Sequence, residues 1–187
     1  MTTNTPLSFL IRDGLEADIE ACLAIDHSYE TDHVWRMSIQ QEETQQWNIT
    51  FMVERLPRTM EVPYPPDEPR MRASLPANQC FLVATRRDTA EVLGYLVMRH
   101  DPIHRIGFVH ELIVARPYRR QTIGARLLGV AHQWAKEQGL TRLMIELQTK
   151  NYPAILFCQE LNFAFCGFND RYFPNQDIAV FFSQSVR

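Results

Sequence analysis

Two acids stand where acids are costly. Glu111 lies inside the apolar run Val109–Ala115, and Glu146 lies inside Leu143–Leu147. A carboxylate in such a run destabilises the strand unless it is paired or faces a cleft. Burial raises its pKa, which suits it to general acid–base work. The competing reading for either acid is structural: an edge position or a salt bridge that fixes the strand. His110 alternates with Glu111 and so faces the other side of the strand. It reads as a packed or partly exposed histidine rather than a base.

Directly after Glu111 come Leu112, Ile113 and Val114, then a basic turn with Arg116, Arg119 and Arg120. A helix follows, with apolar residues at Ile123, Leu127, Ala131 and Trp134. The first N–H groups of a helix have no intrahelical partner, and the helix dipole adds partial positive charge there. Strand, basic turn and helix together make an anion site. Gly124 permits close backbone approach, and the arginines reinforce the charge. The alternative is a solvated helix start whose arginines point to water.

These features sit in a chain of 187 residues, enough for one domain or one domain plus an insertion. A net charge of −3 disfavours a nucleic-acid partner. No apolar run is long enough to span a membrane. The start, MTTNTPLSFLI, lacks the basic region of a signal peptide. Cys22, Cys80, Cys158 and Cys166 show no CxxC pairing and no zinc-like spacing, which predicts reduced thiols and a cytoplasmic protein without a metal.

The elements that must position the acids read as follows. Ser8–Ile11 is a strand, and Leu15–Ile25 is an amphipathic helix with Ile19, Cys22 and Leu23 on one face. Val34–Gln40 and Trp47–Leu56 alternate as strands joined by the polar QQEET turn, where Trp35 and Trp47 either help line a substrate wall or simply stack across the hairpin. Pro57–Pro76 is proline-rich and reads as a long surface loop, of a kind often functional, with an interdomain linker as the rival reading. Phe81–Thr85, Val92–Arg99 and Ile106–Ala115 form an antiparallel meander. The helix from about Thr122 ends near Gly139, a left-handed cap position. Leu143–Leu147 follows a strand–helix unit and is expected to lie parallel to Ile106–Ala115. Pro153–Leu161 is a short helix, and Asn162 takes the capping place of a glycine. Phe163–Phe168 and Ile178–Phe182 close the sheet as a hairpin.

In that order, two stretches resemble the GNAT superfamily of acyl-CoA-dependent N-acyltransferases. Leu112-Ile113-Val114 followed by Arg119-Arg120-Gln121-Thr122-Ile123-Gly124 resembles the family's acyl-CoA pyrophosphate loop. Asn151-Tyr152-Pro153-Ala154-Ile155-Leu156-Phe157 with Asn162-Phe163 resembles its N-x-x-A … G-F helix. Glu146–Asn151, Ala154 and Tyr172 look closest to streptothricin acetyltransferase-like members.

The resemblance implies an α/β (α+β) fold. Its mixed, mostly antiparallel sheet would splay between two parallel strands, with helices on both faces. It implies a single domain over residues 1–187, with a β-rich hairpin and loop insertion at about 31–76. It implies acetyl-CoA as co-substrate, no metal, and a small-molecule amine as acceptor, with a protein or peptide amine or a non-catalytic acyl-CoA-binding module as alternatives. It also implies pairing of a C-terminal hairpin in a homodimer.

By the same resemblance, the N–H groups of Gln121–Ala125 cradle the pyrophosphate near Arg119 or Arg120. Pantetheine enters between the splayed strands beside Leu112, Ile113, Val114, Asn151 and Phe157, and a strand N–H of Ile113 or Val114 holds the oxyanion. Glu111 or Glu146 is the base. Cys158 stands where many members have a tyrosine that protonates the leaving thiolate, with Tyr172 the alternative acid and plain packing the competing role for the cysteine. Thr122 replaces the loop's first glycine, so it either avoids φ > 0 or sits as a helix N-cap. The acids and aromatics of His27–Pro66, among them Asp26 just before it, Tyr29, Glu30, Asp32 and Tyr64, would form the acceptor wall or serve as ordinary core and solvated residues.

Overall fold

The computed structural model describes residues 7–43, 45–76 and 78–186. In chain order the elements are β1 (Phe9–Asp13), α1 (Ile19–Leu23), β2 (Tyr29–Glu43), β3 (Gln46–Val62), α2 (Glu68–Arg72), β4 (Cys80–Arg86), β5 (Val92–Asp101), β6 (Ile106–Val114), α3 (Ile123–Glu137), β7 (Arg142–Gln148), α4 (Tyr152–Glu160), β8 (Ala164–Asn169) and β9 (Ala179–Ser185). They divide into two compact units. One takes the residues up to His27, Pro65–Ile145 and those from Ser183 on; the other takes Ser28–Tyr64 and Glu146–Phe182.

In the first unit the strand order is β1-β4-β5-β6-β7. The first three pairings are antiparallel, and β6 pairs parallel with β7 from Ile106↔Arg142 to Val109↔Ile145. The parallel step follows from the α3 crossover between the two strands. Alternation gives this sheet two apolar faces. Phe81, Val83, Tyr95 and Val97 pack with Ile19 and Cys22 of α1 and Met71 of α2. Leu82, Leu96 and Met98 point the other way and are fully buried or nearly so, on the side covered by α3 through Leu127, Leu128, Ala131 and Ala135. Gly14 is required where the chain leaves β1: a Cβ there would lie 2.4 Å from the Phe81 ring.

In the second unit β2 and β3 form a long hairpin, and the strand order elsewhere is β7-β9-β8. The hairpin extends beyond the alternating stretches, from Tyr29↔Val62 to Glu43↔Gln46. Much of the proline-rich segment is therefore ordered strand and helix rather than loop. Pro57 is tolerated because the register jumps there, from Thr31↔Met60 to His33↔Arg55, so its missing N–H breaks no regular ladder. Trp35 lies opposite Val53, not Trp47, and packs on Phe51, Phe165 and Phe182 at 5.7–5.9 Å. Trp47 is 61% exposed, so of the two readings the tryptophan stack does not form.

The helix expected over Leu15–Ile25 is shorter, a 3-10 turn at Glu16–Asp18 followed by α1. Both longer helices end as their cap residues dictate. After α3, Gly139 has φ +68, with Leu140 N–H donating to Ala135 O at 2.9 Å and Gly139 N–H to Lys136 O at 3.0 Å. After α4, Asn162 has φ 61 and repeats the pattern, with Phe163 N–H to Cys158 O at 2.9 Å and Asn162 N–H to Gln159 O at 3.0 Å. These are paired Schellman closures. A left-handed non-glycine residue costs about 1–2 kcal/mol, less for asparagine. Asn162→Gly is therefore expected to raise stability by up to about 1 kcal/mol and Asn162→Val to lower it, read from urea midpoints.

Candidate active site

Glu111 is placed by a bulge. The β5–β6 register steps from Val97↔Glu111 to Met98↔Val109, leaving His110 as the extra residue. A bulge re-aims the side chain beside it. Glu111 is 3% exposed, and His110 lies against Phe108, with rings 6.2 Å apart. Tyr95 is opposite Ile113, so it is the diagonal same-face neighbour of Glu111 and reaches it. Its hydroxyl donates to Glu111 Oε2 at 2.7 Å. The backbone N–H of Asp67 also donates to the carboxylate, and Arg70 adds a favourable charge. Asp67 is there because it caps α2, its side chain accepting from Arg70 N–H at 2.9 Å. Burial outweighs these contacts, and the Glu111 pKa is raised above the ordinary carboxyl range.

Behind Tyr95 lies His27, which is 6% exposed. Its Nε2 is 3.2 Å from both the Cys22 carbonyl oxygen and the Tyr95 hydroxyl. Its Nδ1 is buried with no hydrogen-bond partner among the described residues. Burial lowers its pKa, so the ring is held toward the neutral form.

The next stretch of β6 leads to the basic turn. Ala115 N–H donates to Leu93 O at 2.9 Å, so N–H groups of that parity face β5. Alternation turns the N–H groups of Leu112 and Val114 away from β5 and that of Ile113 toward it. Arg119 is committed to holding the turn: Nε donates to Val114 O at 2.9 Å and Nη2 to Asp26 O at 3.1 Å. Arg116 pairs with the Asp26 carboxylate at 3.0 Å. Arg120 is exposed. Gln121 donates from its side chain to Pro117 O at 2.9 Å.

Thr122 meets its expected choice in an unexpected way. It occupies the N-cap position of α3 but has φ 66 and makes no side-chain cap bond. It thus takes on the conformation of the glycine it replaces. Arg120 is also left-handed, with φ 62. Left-handed residues in a turn bring successive N–H groups to one side, as in anion-binding nests, and such strain gathers at ligand clamps. Ile123 is buried, while Gly124 and Ala125 on the next positions are half-buried.

The second unit carries the other expected residues. Glu146 is 6% exposed and accepts from the Tyr172 hydroxyl at 2.8 Å. Asn151 caps α4, its Oδ1 accepting from Ala154 N–H at 3.2 Å. Phe157 is half-buried. Cys158 is 1% exposed, on the packed side of α4, and burial pushes its thiol up to about 12. Tyr29 donates to Gln148 Oε1 at 2.8 Å, and Gln148 Nε2 donates to Asp177 at 3.1 Å, which Lys150 pairs at 2.8 Å. Burial, with Asp177 behind it, raises the Tyr29 pKa.

Within each unit the structure therefore gathers what the sequence scatters. Glu111 meets Tyr95 and Asp67, with His27 behind Tyr95, and the sequence reading assigned it none of the three. Tyr95 reads as a core aromatic, since alternation alone does not reveal a diagonal partner. Asp67 two residues before Pro69 is a legible helix start, hidden by the prolines around it. Among the described residues no cluster of His, Cys, Asp and Glu could hold a metal ion, and no helix is long and apolar enough to cross a membrane.

Comparison with known proteins agrees with the fold. The solved nourseothricin acetyltransferase superposes with a TM-score of 0.83 at 23% identity, covering 96% of this chain and 99% of that one. A protein assigned as a streptothricin acetyltransferase from Bacillus anthracis str. Ames, solved in complex with acetyl coenzyme A, gives 0.76 at 22%, over 98% and 100%. The ribosomal-protein-S18-alanine N-acetyltransferase from Escherichia coli gives 0.66 at 14%, over 95% and 94%. No curated protein matches the sequence. The family model for the acetyltransferase (GNAT) family matches residues 39–163, two-thirds of the length, and the chain belongs to that family.

Proposed function

We propose that the protein moves an acetyl group from acetyl-CoA directly to a primary amine of a small molecule, within a ternary complex. The observation that supports this best is Glu111: a buried carboxylate with a raised pKa, on the strand that leads into the basic turn. A base for an ammonium group needs that raised proton affinity. The amine nitrogen attacks the thioester carbonyl carbon, and its proton passes to Glu111. The N–H of Val114, turned away from β5, holds the oxyanion. The carbon–sulfur bond then breaks, and the thiolate leaves and takes a proton from solvent. Cys158 is a poor donor for that step: at about 12 its thiol lies well above an ordinary thiol near ~8.5, so the transfer runs uphill. The N–H groups of Gln121–Ala125 and the exposed Arg120 serve the pyrophosphate.

Two proteins of similar fold are named for acetylating nourseothricin and streptothricin, and these supply the first acceptors. Thiol release from acetyl-CoA is to be followed with nourseothricin, streptothricin, lysine, spermidine and a peptide with a free N-terminus. Turnover on a small amine is expected. Turnover on the peptide alone would make it a peptide acetyltransferase, and acetyl-CoA binding without turnover would make it a binding module.

Glu111→Gln should lower kcat by about 100-fold or more while calorimetry shows acetyl-CoA still bound. Gly124→Trp should abolish acetyl-CoA binding with the melting temperature unchanged. Stability provides a pH test. The folded-state pKa of Glu111 is raised, so its favourable contribution is full below the ordinary value of ~4.3 and is lost as pH rises through the raised one. Urea midpoints of Glu111→Gln should therefore gain on the parent as pH increases across that window.

A further inference from the structure

We infer that His27 and Tyr95 form a positioning relay that holds Glu111 as a hydrogen-bond acceptor and sets the pH at which it takes a proton. This rests on the reading of Glu111 as the base and adds two residues to it. The direction of each bond follows from donor inventory. The Cys22 carbonyl only accepts, so the proton of His27 sits on Nε2. That N–H lies equally 3.2 Å from the carbonyl and from the Tyr95 oxygen, a three-centre bond. With an N–H pointing at its oxygen, the Tyr95 hydroxyl cannot aim its own proton at His27. It is left to donate to Glu111 Oε2, at 2.7 Å.

His27 is itself anchored by the basic turn. Its neighbour Asp26 accepts from Arg119 through its main-chain oxygen and pairs with Arg116 through its carboxylate. The orphaned Nδ1 fits this role. A ring placed for packing alone would leave two nitrogens to satisfy, whereas here one is spent on orienting Tyr95 and the other has no partner. Other ionisable groups also face Glu111. Cys22 comes from α1, with its thiol pushed up to about 12, and Asp67 and Arg70 come from α2. Asp26 and Arg119 act on His27. Of these only Tyr95 donates a side-chain hydrogen bond to the Glu111 carboxylate, and it favours the charged form.

The test is a difference-infrared titration of the protonated-carboxyl band in the full chain without ligand, with Glu111→Gln identifying the band by its loss. Tyr95→Phe keeps the ring and removes the donor; it should move the Glu111 titration up by about one pH unit. His27→Leu should move it the same way by less. His27→Gln, whose amide nitrogen can stand where Nε2 does, should restore it. A merely structural role would change stability without this ordered shift. A titration unmoved in Tyr95→Phe overturns the relay, and equal shifts in His27→Leu and His27→Gln overturn the part given to His27. Neither result depends on turnover. Full activity in Glu111→Gln would instead remove the base, a separate outcome from the titration.

Discussion

A carboxylate inside an apolar strand must be solvated by the protein that buries it. That constraint governs the first unit. Glu111 is met by a hydroxyl from β5 and a backbone N–H from the start of α2, and a histidine beyond α1 braces the hydroxyl. These donors are few enough that burial still dominates and the proton affinity stays high. Full satisfaction would produce an inert structural acid. Removal of the donors would raise its proton affinity further. The bulge at His110 makes the compromise possible, since it brings Glu111 inward while the flanking strand keeps its ladder.

The basic turn obeys a different constraint, one of backbone shape. Arg120 and Thr122 are both left-handed, and neither is a glycine. The turn carries that strain because its arginines are tied down: Arg119 holds the Val114 carbonyl and the Asp26 carbonyl, and Arg116 holds the Asp26 carboxylate. Arg116 and Arg119 thus contribute by fixing geometry, and Arg120 is the one left at the surface.

Much of this was legible. The acid in the apolar run, the meander, the parallel strand after α3 and the left-handed Gly139 and Asn162 all follow from periodicity and cap chemistry. The hairpin was legible in kind but not in length. Its register jumps around Pro57, and a strand reading stops at a proline that a bulge can in fact absorb. The missed partners of Glu111 share one physical reason. Diagonal pairs such as Tyr95 with Glu111, and contacts made by a five-residue helix in a proline-rich segment, depend on register and docking. Neither leaves a periodic trace. Asn151 shows the converse: a residue singled out by a family pattern whose side chain, in the structure, closes the first turn of α4.

The origins of the donors around Glu111 also bear on how the chain assembles. The β2–β3 hairpin joins neighbouring sequence and needs only a tight turn. The shell of Glu111 draws on segments near residues 22–27, 67–70, 95 and 111, and so waits on the closure of long loops. Contacts so far apart in sequence form slowly. The surroundings of Glu111 thus depend on tertiary docking as much as on strand pairing. A species with all its strands paired but α2 undocked would have the look of the native fold and a Glu111 without the Asp67 N–H.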